Sequence, residues 1–281
     1  MKKIKFSVLM SVYKNDKTEY VKIALNSILN QTLKPDQYVI MIDGPIDDDL
    51  KKLLLKYEKE NDIVELHFRK ENKGLGITLN EGLNYCKYDY VARMDADDIS
   101  EINRFEKQIE YMENNIDISV LGCSIAEYDE KMKSIISYRE VPKSYSEIKE
   151  YIKKRNPLNH PTVIFKKNDI LSVGSYEDYP LFEDYYLWAK LVAKGYIINN
   201  IDVPLYKFRG GNSMYGRRGG IKYLKNIKKM ERGLLDLKII NKFEYWKNII
   251  IRYTGALIPN WLRILIYKIL LRKQEEIDYE K

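Results

Sequence analysis

Hydrophobic positions follow two kinds of pattern in the first hundred residues. Short apolar runs, typical of strands, occupy residues 6–13 and 37–42, residues 63–68 alternate weakly between apolar and polar, and residues 88–94 are a fourth strand candidate. Between them, apolar residues recur with a period near 3.6, typical of helices, at residues 20–29, 50–57 and 77–85. Strands and helices that alternate in this way predict βαβ units and a mostly parallel sheet. The apolar runs agree, because helices cover both faces of such a sheet.

Polar, charged and glycine residues follow each of the four predicted strands. These segments are residues 14–16, 43–45, 70–74 and 95–98. In an open parallel sheet, ligands bind in the crevice beyond the carboxyl ends of the strands. The pattern therefore predicts a ligand site at one edge of the sheet.

Three carboxylates, those of Asp95, Asp97 and Asp98, follow the fourth predicted strand within four positions. A divalent cation relieves the repulsion between them, and all-oxygen ligands suit Mg²⁺ or Mn²⁺. We expect Asp95 and Asp97 to be the ligands, with Asp98 as a helix cap or an outer group. The alternative is that Asp97, Asp98 and Ser100 cap the predicted helix 101–113, whose N-terminus favours negative charge.

Five motifs in this chain resemble those of the family 2 glycosyltransferases of the GT-A fold, in particular the bacterial enzymes that build capsular and exopolysaccharides. They are S-V-L-M-S-V-Y-K-N at 7–15, D-G-P at 43–45, N-K-G-L-G-I-T-L-N-E-G-L at 72–83, A-R-M-D-A-D-D at 92–98 and F-E-D-Y-Y-L-W at 182–188. The resemblance covers about residues 4–210. It implies a Rossmann-like, mostly parallel central sheet flanked by helices, here followed by a basic helical C-terminal extension.

The resemblance implies a UDP-sugar donor and assigns residues to it. Ser11, which replaces the proline usual in the family, and Tyr13 end the first strand. Asp43 accepts the imide N–H of uracil; the alternative for this Asp-Gly pair is an ordinary turn. Lys73 stands where most of the family has arginine. Its loop opens a helix, so that backbone N–H groups and the lysine charge can approach a phosphate.

The acceptor side is implied by residues later in the chain. Asp184 resembles the catalytic base, which takes the proton of an acceptor hydroxyl in an inverting transfer. Glu183 is expected to orient the loop or to hold acceptor hydroxyls. His160, in N-H-P-T, is expected near the acceptor. The alternatives are that the acidic pair caps the predicted helix 184–194 and that His160 packs in a loop. G-S-Y at 174–176 departs from the family's G-G-Y.

Positive charge is concentrated at the end of the chain. Residues 207–281 carry 18 Lys and Arg against 7 Asp and Glu, a net charge of +11, whereas residues 1–206 carry 30 against 34, a net charge of −4. The glycine-rich loop 209–220 contains Arg217 and Arg218, which we expect to close over the donor diphosphate. Beyond it, Trp246 and Trp261 lie among aliphatic and basic residues, which is the pattern of an interfacial helix.

This pattern favours attachment to an anionic membrane surface, where a lipid-linked saccharide acceptor is available. Nucleic acid is not expected, because no nucleic-acid-binding motif is present. The alternatives are an exposed linker and a solvated helical surface. We predict a catalytic domain at 1–210, with a nucleotide-sugar half at 1–98 and an acceptor half at 99–210, and a membrane-associating region at 211–281.

The chain is expected to be cytoplasmic and peripheral at the inner face of the membrane. Its N-terminus lacks the hydrophobic region of a signal peptide, and no apolar run reaches the ~18 residues of a membrane span. Cys86 and Cys123 are expected to be reduced thiols.

Two other functions compete with a glycosyltransferase. A sugar-1-phosphate nucleotidyltransferase would need a G-x-G-T loop after the first strand, where Tyr-Lys-Asn stands at 13–15. A non-catalytic membrane-surface binding protein on the same scaffold would show no metal-dependent nucleotide binding.

Overall fold

The computed structural model describes residues 4–210 and 220–257, and the side chains of these except 220 and 255–257. The strands are β1 Phe6–Val12, β2 Gln37–Ile42, β3 Val64–Phe68, β4 Tyr90–Met94, β5 Ile99–Ser100, β6 Ile118–Tyr128, β7 Ile135–Arg139, β8 Ile164–Lys166 and β9 Ile197–Arg209. The helices are α1 Thr18–Leu29, α2 Asp48–Glu60, α3 Leu75–Tyr85, α4 Arg104–Asn114, α5 Tyr145–Tyr151, α6 Lys167–Ser172, α7 Glu183–Ala193, α8 Gly220–Asp236 and α9 Lys242–Leu257. A short 3₁₀ helix spans His160–Thr162.

The first half of the sheet confirms the predicted parallel strands. Its order is β3-β2-β1-β4, and all three neighbouring pairs are parallel. Every residue of β2 is buried, as expected for a strand covered by helices on both faces. The carboxyl ends of these four strands therefore lie at one edge of the sheet.

The second half of the sheet is mixed. β8 is antiparallel to both β4 and β6, and β6 is parallel to the long strand β9. Because β8 runs opposite to β4, the 3₁₀ helix that precedes β8 lies near the carboxyl end of β4. The main-chain N–H of Arg93 in fact donates to the carbonyl of Val163, at 2.8 Å. The acceptor-side motif around His160 is thereby brought to the predicted ligand edge.

The aspartate cluster does not cap the following helix, so that alternative is wrong. The helix begins at Arg104, preceded by Asn103, rather than at residue 101. Ile99 and Ser100 instead form β5, which pairs with Tyr206 and Lys207 of β9. Strand pairing competes for the backbone that a helix cap would need, and it turns the aspartates toward the end of β9.

The helices α8 and α9 pack on the core that α7 and the sheet share. Ile227, Met230 and Leu234 of α8, with Tyr245 and Ile249 of α9, are buried in the same hydrophobic cluster as Trp188 and Leu191 of α7. At Gly233 a Cβ would come within 2.6 Å of the Tyr186 ring, so glycine allows α8 to approach α7 closely. Among the helices of the described residues, none is long and apolar enough to cross a bilayer.

Candidate active site

The cluster of Asp95, Asp97 and Asp98 follows β4 at the ligand edge. Each residue offers an oxygen, and these oxygens lie within 4.8 Å of one another. Asp98 is buried, and its Oδ2 has no hydrogen-bond partner among residues 4–210 and 220–257. Burial, followed by repulsion from Asp95, raises the pKa of Asp97 to about 6. A buried carboxylate oxygen without a donor and an all-oxygen ligand set both fit a hard divalent cation.

Two further residues, Asp16 and Arg209, lie beside this cluster. Asp16, after β1, faces the aspartates; burial and then the charges of Asp97 and Asp95 raise its pKa to about 7. Arg209, the last residue of β9, donates its main-chain N–H to Asp98 Oδ1 at 2.7 Å and its Nε to the Asp97 carbonyl at 2.7 Å. The Arg209 guanidinium lies 3.8 Å from the centre of the Tyr20 ring. These contacts fix the path of residues 97–98.

Arg93 lies at the centre of the site. Its side chain is buried and pairs with Asp95 through Nη2, while Nε and Nη1 have no hydrogen-bond partner in the part of the chain that the structure describes. The same guanidinium favours the ionised forms of both Asp97 and Asp184, and it disfavours the protonated form of His160. A single buried cation therefore acts on the aspartate cluster and on the acceptor-side residues together.

The predicted base, Asp184, is held through both oxygens. Oδ2 accepts from the Asn156 amide at 2.6 Å, and Oδ1 accepts from the Tyr185 main-chain N–H at 2.8 Å. Burial raises the pKa of Asp184, and the hydrogen bond from Asn156 opposes this rise. Its neighbour Glu183 shares the same surroundings, and burial followed by the Asp184 charge raises the pKa of Glu183 to about 7.

His160 belongs to a polar chain that joins the two halves of the site. Its Nε2 hydrogen-bonds the Tyr176 hydroxyl at 2.9 Å, and the Asn80 amide donates to the Tyr176 carbonyl at 3.0 Å. Burial lowers the pKa of His160 well below its usual value, so the imidazole is neutral. A Cβ on Gly76 would lie 3.4 Å from the Glu183 Cβ. The motif at 72–83 therefore contacts the motif at 182–188.

Asp43 organises the loop after β3. Its Oδ1 accepts from the main-chain N–H of Lys73 at 3.0 Å and from Arg69 at 3.2 Å, and its Oδ2 accepts from the N–H of Gly74 at 2.9 Å. The N–H groups of Lys73 and Gly74, predicted to approach a phosphate, are bonded to Asp43 in this structure. Gly44 has a φ of 89°, and a Cβ there would come within 2.6 Å of the Asn72 nitrogen. The Asp-Gly turn thus packs against the lysine loop.

The remaining predicted donor residues lie at the end of β1. Ser11 is half-buried and pairs in register with Met41 of β2. Tyr13 is exposed just beyond the strand, and its main-chain N–H donates to Asp16 Oδ2 at 2.9 Å. Arg217 and Arg218, expected to close over the donor, and Trp261 lie outside the described residues.

Sequence reasoning missed four residues that shape this site: Arg93, Asn156, Tyr176 and Arg209 as the anchor of the aspartates. Arg93 carries a sequence signal, because a lone charge inside the apolar run V-A-R-M must find a partner when the strand is buried. Asn156 carries none, since it lies in a loop 28 residues before Asp184.

The fold is that of the GT-A glycosyltransferases. Residues 1–349 of TarS from S. aureus, in complex with UDP-GlcNAc, have a similar structure with a TM-score of 0.66 at 16% identity; the match covers 96% of this chain and 82% of that one. The mannosyltransferase PcManGT from Pyrobaculum calidifontis, in complex with GDP-Man and Mn²⁺, gives a TM-score of 0.63 at 13% identity, covering 92% of this chain and 72% of that one. These likenesses concern the fold.

The sequence comparisons give the family. The model of the family described as "Glycosyl transferase family 2" matches residues 7–179 of this chain. A UDP-Gal:alpha-D-GlcNAc-diphosphoundecaprenol beta-1,3-galactosyltransferase from Escherichia coli is 37% identical over 269 residues, covering 96% of this chain and 97% of that protein. The amylovoran biosynthesis glycosyltransferase AmsE from Erwinia amylovora is 37% identical over 233 residues, covering 83% of this chain and 86% of AmsE. This chain belongs to glycosyl transferase family 2 and is a glycosyltransferase.

Proposed function

We propose that this enzyme transfers a sugar from a UDP-sugar to a saccharide carried on a lipid diphosphate, in the biosynthesis of a cell-surface polysaccharide. The E. coli relative supports the substrates, because its name gives UDP-Gal as donor and a GlcNAc-diphosphoundecaprenol as acceptor. The identity to it extends over nearly the whole of both chains. AmsE supports the pathway class, since its name places it in the biosynthesis of amylovoran.

The observation that carries the proposed reaction is that the charge of Arg93 acts on two acidic groups. Its guanidinium pairs with Asp95 of the aspartate cluster, and it also favours the ionised form of Asp184 on the acceptor side. A donor held by its diphosphate at the cluster would present its anomeric carbon toward Asp184. An acceptor hydroxyl then loses its proton to Asp184 as its oxygen attacks that carbon and the bond to the diphosphate breaks. One displacement of this kind inverts the anomeric centre.

Asp184 is suited to be the base. The contacts from Asn156 and Tyr185 fix the orientation of its carboxylate. Its raised pKa makes it a stronger base than an exposed aspartate, and a general base is most effective when its pKa lies near the working pH. Glu183 and His160 flank it and are proposed to bind acceptor hydroxyls, in keeping with the neutral state of the imidazole.

Mg²⁺ or Mn²⁺ is proposed as the cofactor, held by Asp95 and Asp97. When bound there, the cation stabilises the negative charge on the leaving diphosphate, so no general acid is needed on that side. Asp98 and Arg209 keep these aspartates in place through the hydrogen bonds described above. Arg217 and Arg218 are proposed to add positive charge over the diphosphate.

The proposed uracil contact of Asp43 is compatible with its other hydrogen bonds. A carboxylate has about four acceptor sites. Lys73, Gly74 and Arg69 occupy three of them. The fourth is proposed to accept the imide N–H of uracil, with Ser11, Tyr13 and the Lys73 side chain lining the same edge. We accordingly propose that residues 1–98 bind the donor and that residues 99–210 bind the acceptor.

The solvent-exposed face of α9 supports the proposed attachment to a membrane. Phe243, Trp246 and Ile250 recur at helical spacing and are 78%, 62% and 62% exposed. The exposed Lys242 and Lys247 lie among them. An apolar stripe with basic neighbours matches an anionic bilayer, at the inner face of the cell membrane, where a lipid-linked acceptor would be presented.

A donor and acceptor screen tests the proposed function. The full-length protein would be incubated with UDP-Gal, UDP-Glc, UDP-GlcNAc or GDP-Man and a synthetic GlcNAc-α-diphosphate-lipid, with Mn²⁺, Mg²⁺ or EDTA. We expect UDP release and a glycosylated lipid by mass spectrometry with a UDP-sugar only, and none with EDTA or with D184N. Transfer from GDP-Man alone, or equal rates with EDTA, would contradict the proposed donor or the proposed cation.

A further inference from the structure

The Asn156 amide that holds Asp184 lies at the end of a turn. Residues 152–156 follow α5 and form neither a helix nor a strand. Contacts from other elements to the backbone before Asn156 add to the hydrogen bonds that Lys154 and Arg155 donate to the Tyr151 carbonyl. The position of Asn156 matters because its 2.6 Å hydrogen bond orients one of the two Asp184 oxygens.

The turn is held by side chains from α8 and α9. Asn248 of α9 donates to the carbonyl of Lys153 at 2.8 Å, and Arg252, one helical turn later, donates to the carbonyl of Lys154 at 2.9 Å. From the other side, the Tyr185 hydroxyl donates to the carbonyl of Ile152 at 2.6 Å. Three successive carbonyls, those of residues 152–154, are thus held by other elements, and one residue separates them from Asn156.

Glu231 of α8 fixes the two α9 side chains in turn. It is fully buried; its Oε2 accepts from Asn248 Nδ2 at 3.0 Å, and its Oε1 pairs with Arg252 Nε at 2.6 Å. We call Glu231, Asn248 and Arg252 the hairpin clamp. Each member of the clamp contacts another member, and both members on α9 contact the turn.

We infer that the hairpin clamp positions the catalytic base: the α8–α9 hairpin fixes the 152–154 carbonyls, and these fix Asn156 and with it the Asp184 carboxylate. This rests on the proposed role of Asp184. The apolar residues of α8 and α9 already join the core, so the hairpin does not need a buried ion pair to stay attached. Buried ion pairs contribute little net stability compared with apolar packing, and their best-supported use is to specify one geometry.

The first test separates positioning from stability. We expect Asn248→Ala and Arg252→Met to lower kcat about tenfold, because small displacements of a catalytic group are costly, while the KM for the UDP-sugar changes less than twofold. Arg252→Lys, which keeps the charge facing Glu231 but loses the planar fork, should recover part of the loss. Arg232→Met is the matched control, since Arg232 lies exposed on α8 and pairs with Asp236 on the same helix.

A double-mutant cycle tests the route through Asn156. If the clamp acts by placing this amide, Asn156→Ala should lower kcat by itself, and adding Asn248→Ala should lower it little further. Independent effects would multiply. Melting temperature and UDP affinity are measured for each variant, so that a general loss of folding is recognised by a fall in both.

The outcomes distinguish this inference from the proposed function. If D184N transfers sugar at the wild-type rate, Asp184 is not the base and the clamp has nothing to position. If D184N is inactive but the clamp variants keep wild-type kcat, the clamp inference is overturned and the proposed function stands. The clamp inference is also overturned if the losses in kcat multiply in the double-mutant cycle, or if kcat and UDP affinity fall equally.

Discussion

Arg93 pairs with Asp95 through Nη2 and leaves Nε and Nη1 buried without a partner in the described chain. Buried N–H groups are almost always hydrogen-bonded in native proteins, so these two donors point to an acceptor that the bound substrate supplies. The phosphate and sugar oxygens of the donor are hydrogen-bond acceptors that could receive these two N–H groups. The pair with Asp95 places that contact beside the proposed cation site.

Arg93→Met should weaken UDP-sugar binding about 10- to 100-fold, since a hydrogen bond to a charged group contributes roughly 1.5–3 kcal/mol. Arg93→Lys should keep part of the affinity. Isothermal titration with UDP-sugar, UDP and uridine at saturating Mn²⁺ measures this. Uridine affinity should be unchanged, and an equal loss for all three ligands would show that Arg93 only supports the fold.

The cation site should bind Mn²⁺ more tightly as the pH rises. Without a cation, protons occupy carboxyl groups whose pKa values burial raises to about 6 at Asp97 and about 7 at Asp16. A cation must displace the proton of Asp97, and the ionised Asp16 adds a nearby negative charge, so affinity increases between pH 6 and pH 8. Titration of Mn²⁺ by electron paramagnetic resonance at both pH values measures it.

Asp97→Asn should reduce Mn²⁺ affinity at least tenfold at pH 8. Asp16→Asn is the matched control, because Asp16 faces the cluster but does not belong to the three residues whose oxygens lie within 4.8 Å. It should lower the affinity only slightly, through the loss of one nearby charge. Equal effects of the two substitutions would argue against Asp97 as a ligand.

Much of the donor half was predictable because its signals are local. The strands β1, β2 and β4 are largely buried, so their residues form apolar runs, and their ends are marked by Gly44 and the aspartates. The strand β3 lies at the edge of the sheet, and Val64 is its one buried residue. The acceptor half depends on pairs distant in sequence. β6 and β9 pair with shifts of register, and Pro204 and Asn200 interrupt the pattern of β9. No local signal marks such a strand.

The misassigned helix cap has the same physical origin. Asp97, Asp98 and Ser100 before a helix are a good local match for an N-cap. The backbone of residues 99–100 instead pairs with β9, a strand that lies about a hundred residues later in the chain. The main-chain N–H of Arg209 in β9 donates to Asp98. Likewise, the Asp43 side chain binds the N–H groups of Lys73 and Gly74, a contact that no motif spacing reveals.

Asn156→Ala should move the acid limb of kcat to higher pH. Burial raises the pKa of Asp184 and the Asn156 hydrogen bond lowers it, so removing the amide raises that pKa further. A base must be ionised, and the variant should therefore lose more activity at pH 6 than at pH 8. The kcat profile from pH 5 to 9, with both substrates saturating, measures this, and a uniform loss at every pH would refute it.

Glu183→Gln should stabilise the protein above pH 7 and have little effect below pH 4.5. The folded state raises the pKa of Glu183 from 4.5 to about 7, so the folded state binds this proton more tightly than the unfolded chain does. The contribution of Glu183 to the free energy of unfolding therefore falls as the pH rises from 4.5 to 7. The glutamine variant avoids this loss.

The expected gain is roughly 1–3 kcal/mol at pH 8, since one pKa unit corresponds to about 1.4 kcal/mol. Urea unfolding of the wild type and the variant at pH 4 and pH 8 measures it. Glu110→Gln, on the exposed face of α4, is the control. A variant that is less stable than the wild type at pH 8 would show that the ionised Glu183 is favourably paired.

Membrane attachment is better tested by point substitutions than by a truncation. Removing residues from 240 onward would delete Asn248 and Arg252, which contact the turn before Asn156, and would uncover the core at Tyr245 and Ile249. A shortened protein that failed to bind vesicles would therefore be uninformative. Substitutions in the exposed stripe on α9 keep Asn248, Arg252, Tyr245 and Ile249 in place, although Trp246 also makes an edge-to-face contact with Tyr245.

Phe243→Ser with Trp246→Ser should reduce sedimentation with anionic phosphatidylglycerol vesicles by at least tenfold in partition coefficient. Burying an aromatic side chain contributes roughly 1.5–3 kcal/mol, and each basic group near the surface adds about 1 kcal/mol. Ile116→Ser is the control, because Ile116 is equally exposed, at 71%, but lies in the loop between α4 and β6.

Salt at 0.5 M should weaken wild-type binding only in part, since salt screens the charges but not the apolar burial. If the double variant sediments like the wild type, the stripe is not the membrane contact. If salt alone abolishes binding, the attachment is electrostatic, and the aromatic residues of α9 serve another partner.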